Sequence, residues 1–399
     1  MMAGLWRWSK RALLALLLLV VLLAAYVQFG GHRYFWTALK YTYLQGHNTA
    51  HIDDAANFPQ AVVASGIPKL WAMDPRAAQT AIASDLLQYL NAERTAAFLV
   101  VHQGQLLHES YFAPYTANSQ TNVFSMAKTV VTLLTGAAVA DGIVPSFDTP
   151  LTNYLPEYAN DARGSKATLA QLSAMTSGHA WTENYYLPLN PTTKLYFGGD
   201  AAGTVLAQGF EREPGTAFEY SSASTQVLAL ALQRALQARQ PELTLSTYLS
   251  QRLWQPMGME GDASWSLDRP RVDGGMEMAY CCIHSSARNF ARFGQLLLQD
   301  GRWDNKQLLP ADFVQRITQP QPNGFVDYYG HSLWMDPNHS TPFYFLQGHL
   351  GQYVIVVPSA QLVVVRLGQV RHKTFNRHPV IQDEIYRYVD EGLRMAQHR

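Results

Sequence analysis

The sequence predicts an α+β fold, an antiparallel sheet built from both ends of the chain, flanked by helices, with a helical region inserted between. Three observations predict it. Strand-like runs occur near residue 100 and again beyond residue 340, and helical patterning fills the middle. An amphipathic face then closes the chain, and one apolar segment ahead of all this is long enough to cross a membrane.

That apolar segment comes first. Arg7, Lys10 and Arg11 precede Ala12 to Phe29, an 18-residue run dominated by leucine and interrupted only by Gln28. A spanning helix wants about 20 residues, with a range of about 17–25. A cleaved signal would have a shorter apolar region and a small-residue cleavage site, and Leu23-Ala24-Ala25-Tyr26 offers no clean one. The expectation is an uncleaved anchor at 12–29 with residues 1–11 cytoplasmic. The remainder is then periplasmic or otherwise extracytoplasmic, held to the inner (cytoplasmic) membrane by one pass. The lipid bilayer is the first expected partner.

Residues 30–76 are expected to be a juxtamembrane connector, with Tyr34, Phe35 and Trp36 as an interfacial belt or the start of a short helix. His47, His51, Asp53 and Asp54 have the residue types of a metal site but no accompanying ligand set, so a solvated polar loop is expected there. No metal or other cofactor is expected anywhere.

Residues 77–399 form the main domain. Ala78 to Leu90 is helical in pattern, and Ala97–Val101 with Leu106–Phe112 is a hairpin around Gln103-Gly104. Asn122 to about Pro310 is mostly helical pattern and long loops. Phe343–Leu346, Tyr353–Val357 and Leu362–Leu367 are three more strands, with a turn at Pro358-Ser359-Ala360. Ile381, Ile385, Tyr388, Val389 and Leu393 mark a closing helix after Pro379.

Composition narrows the function classes. Lys and Arg total 30, as do Asp and Glu, so there is no basic excess with which to grip nucleic acid. At 48% hydrophobic the chain can build a sizeable core. Its two cysteines, adjacent at Cys281 and Cys282, make neither a disulfide framework nor zinc-site spacing.

Three short stretches could carry chemistry. In Ser125-Met126-Ala127-Lys128, positions i and i+3 share a helix face, with Asn122 as a candidate cap. A serine hydroxyl needs a base within ~3 Å, and a lysine kept neutral by burial can be that base. Alone the pair is a weak signal, but it is the one Ser-x-x-Lys in the chain. Tyr220-Ser221-Ser222 could supply a proton relay; read alone it is better a helix start. Gly348-His349-Leu350-Gly351-Gln352 lies between strands, where glycines allow close backbone approach to a ligand; otherwise it is a tight connection. No G-x-S-x-G, P-loop, dinucleotide fingerprint or H-E-x-x-H is present.

In this order the three stretches resemble the serine β-lactamase and penicillin-binding-protein superfamily, with its S-x-x-K, Tyr motif and K-T-G-like strand. The likeness runs from about Phe98 to Leu367. It includes Asp141-Gly142-Ile143-Val144 to Leu155-Pro156-Glu157, Thr168-Leu169 to Met175-Thr176-Ser177-Gly178, and Ser285 to Gly294. Gly301-Arg302-Trp303 and Leu308-Leu309-Pro310 follow. The G-H-x-G stretch is similar to that of class C-like esterases and 6-aminohexanoate-dimer hydrolases.

The resemblance implies a β-lactamase/transpeptidase-like fold and a serine hydrolase acting on a small ester or amide. It makes Ser125 the acylated nucleophile, Lys128 its base and Tyr220 the proton shuttle to the leaving group. The oxyanion would be held by the Ser125 N–H and a strand N–H after Gly351, with Gln352 the expected donor. His349 stands where a β-lactamase or peptidase has a lysine, and a neutral imidazole clamps carboxylate poorly, which weighs against β-lactam specificity. Ser222 replaces the commoner Asn of the Tyr motif. Two other functions compete: a peptidoglycan D,D-carboxypeptidase or β-lactamase, and a non-catalytic module that binds a cell-wall ligand. Trp181, Tyr185, Tyr186, Trp265 and Trp334 could line a cleft in either case.

Overall fold

The computed structural model describes residues 2–321 and 325–397. Its centre is a six-stranded antiparallel sheet in the order Gln105–Tyr111, Thr95–His102, Leu362–Gly368, Gln352–Val357, Phe343–Gly348, Trp334–Asp336. Both ends of the chain therefore meet in one sheet, as the strand-like runs require. The first hairpin turns at Gln103 and Gly104, both at positive φ (51° and 76°), which suits a tight two-residue turn.

The central strands are apolar on both faces because both are covered. Along Leu362–Gly368 the side chains alternate. Val363 and Val365 join the larger core, and Leu362 and Val364 the smaller. The helix Ala287–Leu298 lies on the first face and the helix Asp383–Gln397 on the second. Each approaches through a glycine. A Cβ at Gly294 would lie 2.6 Å from Val363, and one at Gly392 2.6 Å from Val364. The expected first helix is shorter and later than its pattern, at Ser84–Ala92.

The larger core continues into the inserted helical region. Two helices there, Met126–Ala140 and Ser222–Arg239, are buried around most of their circumference. A second sheet escaped the sequence reading: Gln60–Val63, Ala263–Ser266, Ile283–Ser285 and Thr121–Asn122. Its strands are two to four residues long, too short for periodicity to register.

One edge of this sheet comes from the stretch expected to be a connector. Ile52 and Val63 are fully buried, and the helix Tyr34–Tyr41 packs on the helix Pro191–Phe197. Residues 34–63 are thus built into the body of the domain. Ahead of them runs a single helix, Met2–Phe29. Within it Trp8–Phe29 has a mean hydropathy of 2.7 and only 6% of its most apolar window buried, so by length and composition it could cross a membrane. Cys281 and Cys282 are bonded to one another, which closes a local ring and ties no distant segments together.

Candidate active site

The strand Thr121–Asn122 delivers the chain to Ser125 through a strained step, for Phe124 has φ +48° without being glycine. Asn122 was expected to cap the helix. Instead it sits in the strand, and its Oδ1 accepts the Phe124 N–H at 2.8 Å, holding the turn. The helix then starts at Met126, with Ser125 immediately before it.

One turn on, Lys128 is 1% exposed. Its Nζ donates to Ser125 Oγ at 2.9 Å, to Ser222 Oγ at 3.0 Å and to the Tyr280 carbonyl at 3.0 Å. Burial lowers its pKa to about 8, against the opposing pull of Glu183. When neutral, the amine can keep donating to Ser222 and Tyr280 and turn its lone pair to the Ser125 hydroxyl. Tyr220 stands beside this pair, with Lys128 Nζ 5.2 Å from its ring centre. Burial and then Glu183 raise the Tyr220 pKa, while a hydrogen bond with Ser125 opposes them. The phenol therefore stays protonated at neutral pH.

Glu183 is the hub that the sequence reading missed. Its Oε1 accepts from Ser222 Oγ at 2.5 Å and from the Tyr185 hydroxyl at 2.6 Å. Its Oε2 accepts from the Ser222 N–H at 2.9 Å and from Trp181 Nε1 at 2.7 Å. The available signal was a lone carboxylate inside the aromatic stretch Trp181-Thr182-Glu183-Asn184-Tyr185-Tyr186. Among the cleft-lining candidates, Tyr185, Tyr186 and Trp334 face cavities, whereas Trp265 is core and donates to the Met278 and Cys281 carbonyls.

Of the third stretch, Gly348 and His349 reach the cleft, and Gly351 and Gln352 do not. The end of the Phe343–Gly348 strand presses so close to the nucleophile turn that a Cβ at Gly348 would lie 2.1 Å from the Val123 carbonyl oxygen. The Gln352 side chain is fully buried, donating to the carbonyls of His349 (2.9 Å) and Gly368 (2.6 Å). Gly351, at φ +84°, packs on the buried Arg366, whose Nη1 donates to its carbonyl at 2.8 Å. The Gln352 side chain and Gly351 thus tie the hairpin together. His349 lies against Tyr185 with the rings tilted (centroids 5.0 Å apart), and burial pushes its pKa down to about 3, with Arg371 and Lys373 acting the same way. It is neutral at physiological pH.

Two cavities meet at Ser125. One, of about 230 Å³, is lined by Tyr220, Trp334, Gln347, His349, Arg371 and Gln382 among others. The other, narrower at about 70 Å³, is largely apolar. No group of three or more metal-ligating side chains occurs among the described residues.

Asp54 corrects the expectation of a solvated loop. It is 2% exposed and accepts from Asn122 Nδ2 at 2.9 Å and from the Tyr196 hydroxyl at 2.5 Å, bracing the asparagine that braces the nucleophile turn. Burial raises its pKa to about 6, outweighing the hydrogen bonds from Tyr196 and Asn122. The folded value lies above the unfolded one, so its stabilisation is present at the acidic end and is lost as pH rises through about 4 to 6. Replacement Asp54→Asn should flatten that slope, amounting to about 2 kcal/mol. Urea unfolding midpoints at pH 4.5 and 6.5 would check it.

The comparisons agree with this architecture. The sequence profile described as Beta-lactamase matches residues 83–384, most of the chain. A 6-aminohexanoate-dimer hydrolase of Paenarthrobacter ureafaciens is 28% identical over 243 residues, covering 58% of this chain and 59% of the relative. The aligned stretch thus spans about three fifths of that relative's length. A solved Bacillus anthracis chain, described as a candidate 6-aminohexanoate-dimer hydrolase, superposes with a TM-score of 0.70 at 22% identity, covering 91% of this chain and 94% of that one. A family VIII carboxylesterase structure gives 0.61 at 15% identity, over 84% and 100%. A penicillin-binding-protein homologue from Caulobacter crescentus gives 0.60 at 16%, over 84% and 98%. Identities this low speak to the fold. The profile match over 83–384, laid on the Ser125–Lys128–Tyr220 arrangement, places this chain in the beta-lactamase family.

Proposed function

We propose that the chain is a membrane-anchored serine hydrolase that cleaves a small ester or amide through an acyl-enzyme on Ser125. One observation carries the reading: a buried lysine whose pKa is lowered toward neutrality lies 2.9 Å from the serine hydroxyl. Neutral Lys128 takes the Ser125 proton as Oγ attacks the substrate carbonyl. The negative oxygen that forms is held by the Ser125 N–H and an N–H from the strand end at Gln347–His349. This strand end replaces Gln352 as the expected second donor, because it is the part of the stretch that lines the cleft. Tyr220 passes a proton to the departing oxygen or nitrogen, leaving the acyl group on Ser125, and water then releases it.

Glu183 positions Ser222, and through it Lys128. A neutral His349 supplies no charge for a substrate carboxylate, so the carboxypeptidase and β-lactamase reading would have to draw on Arg371 in the same cavity. A non-catalytic binding module would have no use for a lysine whose pKa is lowered to about 8 beside a serine. The Trp8–Phe29 helix, about 33 Å long at 1.5 Å per residue, supports single-pass anchoring in the cytoplasmic membrane with the domain outside.

The test is intact mass after treatment with a fluorophosphonate. A single adduct is expected on the parent protein and none on Ser125→Ala. A folded parent that takes no adduct would overturn the hydrolase reading and bring the binding module forward.

A further inference from the structure

The two cavities at Ser125 differ in a way that assigns the two halves of the substrate. Tyr220, the proton donor to the leaving group, lines the 230 Å³ cavity together with Arg371 and Gln382. It does not line the narrow apolar cavity. A leaving atom must sit within reach of its proton donor. The leaving group therefore lies in the cavity lined by Tyr220, and the acyl group points into the other, largely apolar cavity.

The walls of that apolar cavity come from two places. One wall is the 184–197 segment, with Tyr185, Leu187, Tyr196 and Phe197. The facing wall is Ala38, Thr42, Tyr43, Asn48, Thr49 and Ala50, which lie before residue 83, where the family match begins. Thr49 fixes this wall to the site, its Oγ1 lying 3.3 Å from His349 Nε2 and 3.4 Å from the Tyr185 carbonyl. At about 15 Å³ for each water-sized group, the cavity of about 70 Å³ holds on the order of five such groups. Beyond it the apolar surface continues outward through Tyr43, Tyr186 and Leu187, which are 54%, 47% and 56% exposed.

We infer that residues 38–50, between the apolar helix and the family domain, form one wall of an acyl-binding subsite that selects an apolar acyl chain of about four to eight carbons. The inference rests on the hydrolase reading above. The chemistry balances without further reactants. Ser125 Oγ bonds to the acyl carbon as the bond to the leaving oxygen breaks, and the serine proton ends on the released alcohol. Water then yields the free carboxylic acid and restores the serine. Each buried methylene favours the longer chain by about threefold to fourfold.

The test uses the full-length protein in detergent with p-nitrophenyl acetate, butyrate and hexanoate, the leaving group being constant. The expected result is a kcat/KM at least tenfold higher for hexanoate than for acetate. Ala50→Phe, which fills the cavity from the 38–50 wall, and Leu187→Glu, at an exposed position on the 184–197 wall, should each lower the hexanoate-to-acetate ratio at least fivefold. The ratio cancels any general loss of active protein. A flat chain-length profile in the parent, or a ratio unchanged in both variants, would overturn the subsite while leaving the hydrolase standing. Absence of turnover on every ester, with no phosphonate adduct on Ser125, would overturn both.

Discussion

Lys128→Met is expected to lower kcat/KM on a short ester by about a thousandfold while leaving the thermal midpoint equal to or above that of the parent. The first half follows from losing a general base, an effect of about 10²–10⁴-fold. The second follows from the environment. Lys128 is 1% exposed, and burial works against its charged form. A methionine of similar length fills the space with no charge to desolvate. Opposite signs for activity and stability would separate a base from a structural lysine, whose removal lowers both. The parent also carries a pH signature. The base form is the deprotonated one, so kcat/KM should rise as pH passes through about 8 and level off above it. A pH–rate profile of the parent beside Lys128→Met checks this, since the variant should lose that rise.

Glu183→Gln is the second large effect, and here both quantities fall. The carboxylate accepts four hydrogen bonds, two on each oxygen. A glutamine has one acceptor oxygen, and its amide group would confront two donors. Leaving buried donors unmatched costs about 3 kcal/mol in all, readable by urea unfolding. Displacement of Ser222 and Tyr185 should lower kcat by about tenfold to a hundredfold, since small misplacements at a reacting centre are expensive. A further readout is specific to charge. Glu183 favours the ammonium form of Lys128, so removing it should move the rise in the pH–rate profile to lower pH. A merely structural carboxylate would not move that midpoint.

What could be read in advance follows how local each feature is. Ser125 and Lys128 lie one helical turn apart, so their spacing announces a shared face. The continuous valines of residues 363–365 announce a strand covered on both sides. Tyr220 needed the order of motifs as well as its own neighbours. Glu183 is 39 residues from the serine it positions, and Asp54 is 68 residues from the asparagine it holds. Neither sits in a periodic pattern, so nothing short-range marks a carboxylate as buried and matched. Gln352 shows the reverse case. The glycines around it do signal close backbone approach, but the approach is to Arg366 and to the Val123 carbonyl. The second sheet is a matter of length, since strands of two to four residues take their conformation from the partners they meet.

The bracing of the turn before Ser125 by Asp54 bears on where the chain could be cut without losing the site. Between the helix ending at Phe29 and the one beginning at Tyr34 lie four residues, Gly30 to Arg33. A protease cutting there would release a body that keeps the Asp54–Asn122 contact and the Thr49 contact to His349. Loss of the chain through residue 63 would remove a sheet strand and both contacts, and the freed remnant would be a hydrolase with its serine unsupported. A chain starting within those four residues would keep every contact that residues 34–63 make with the body of the domain.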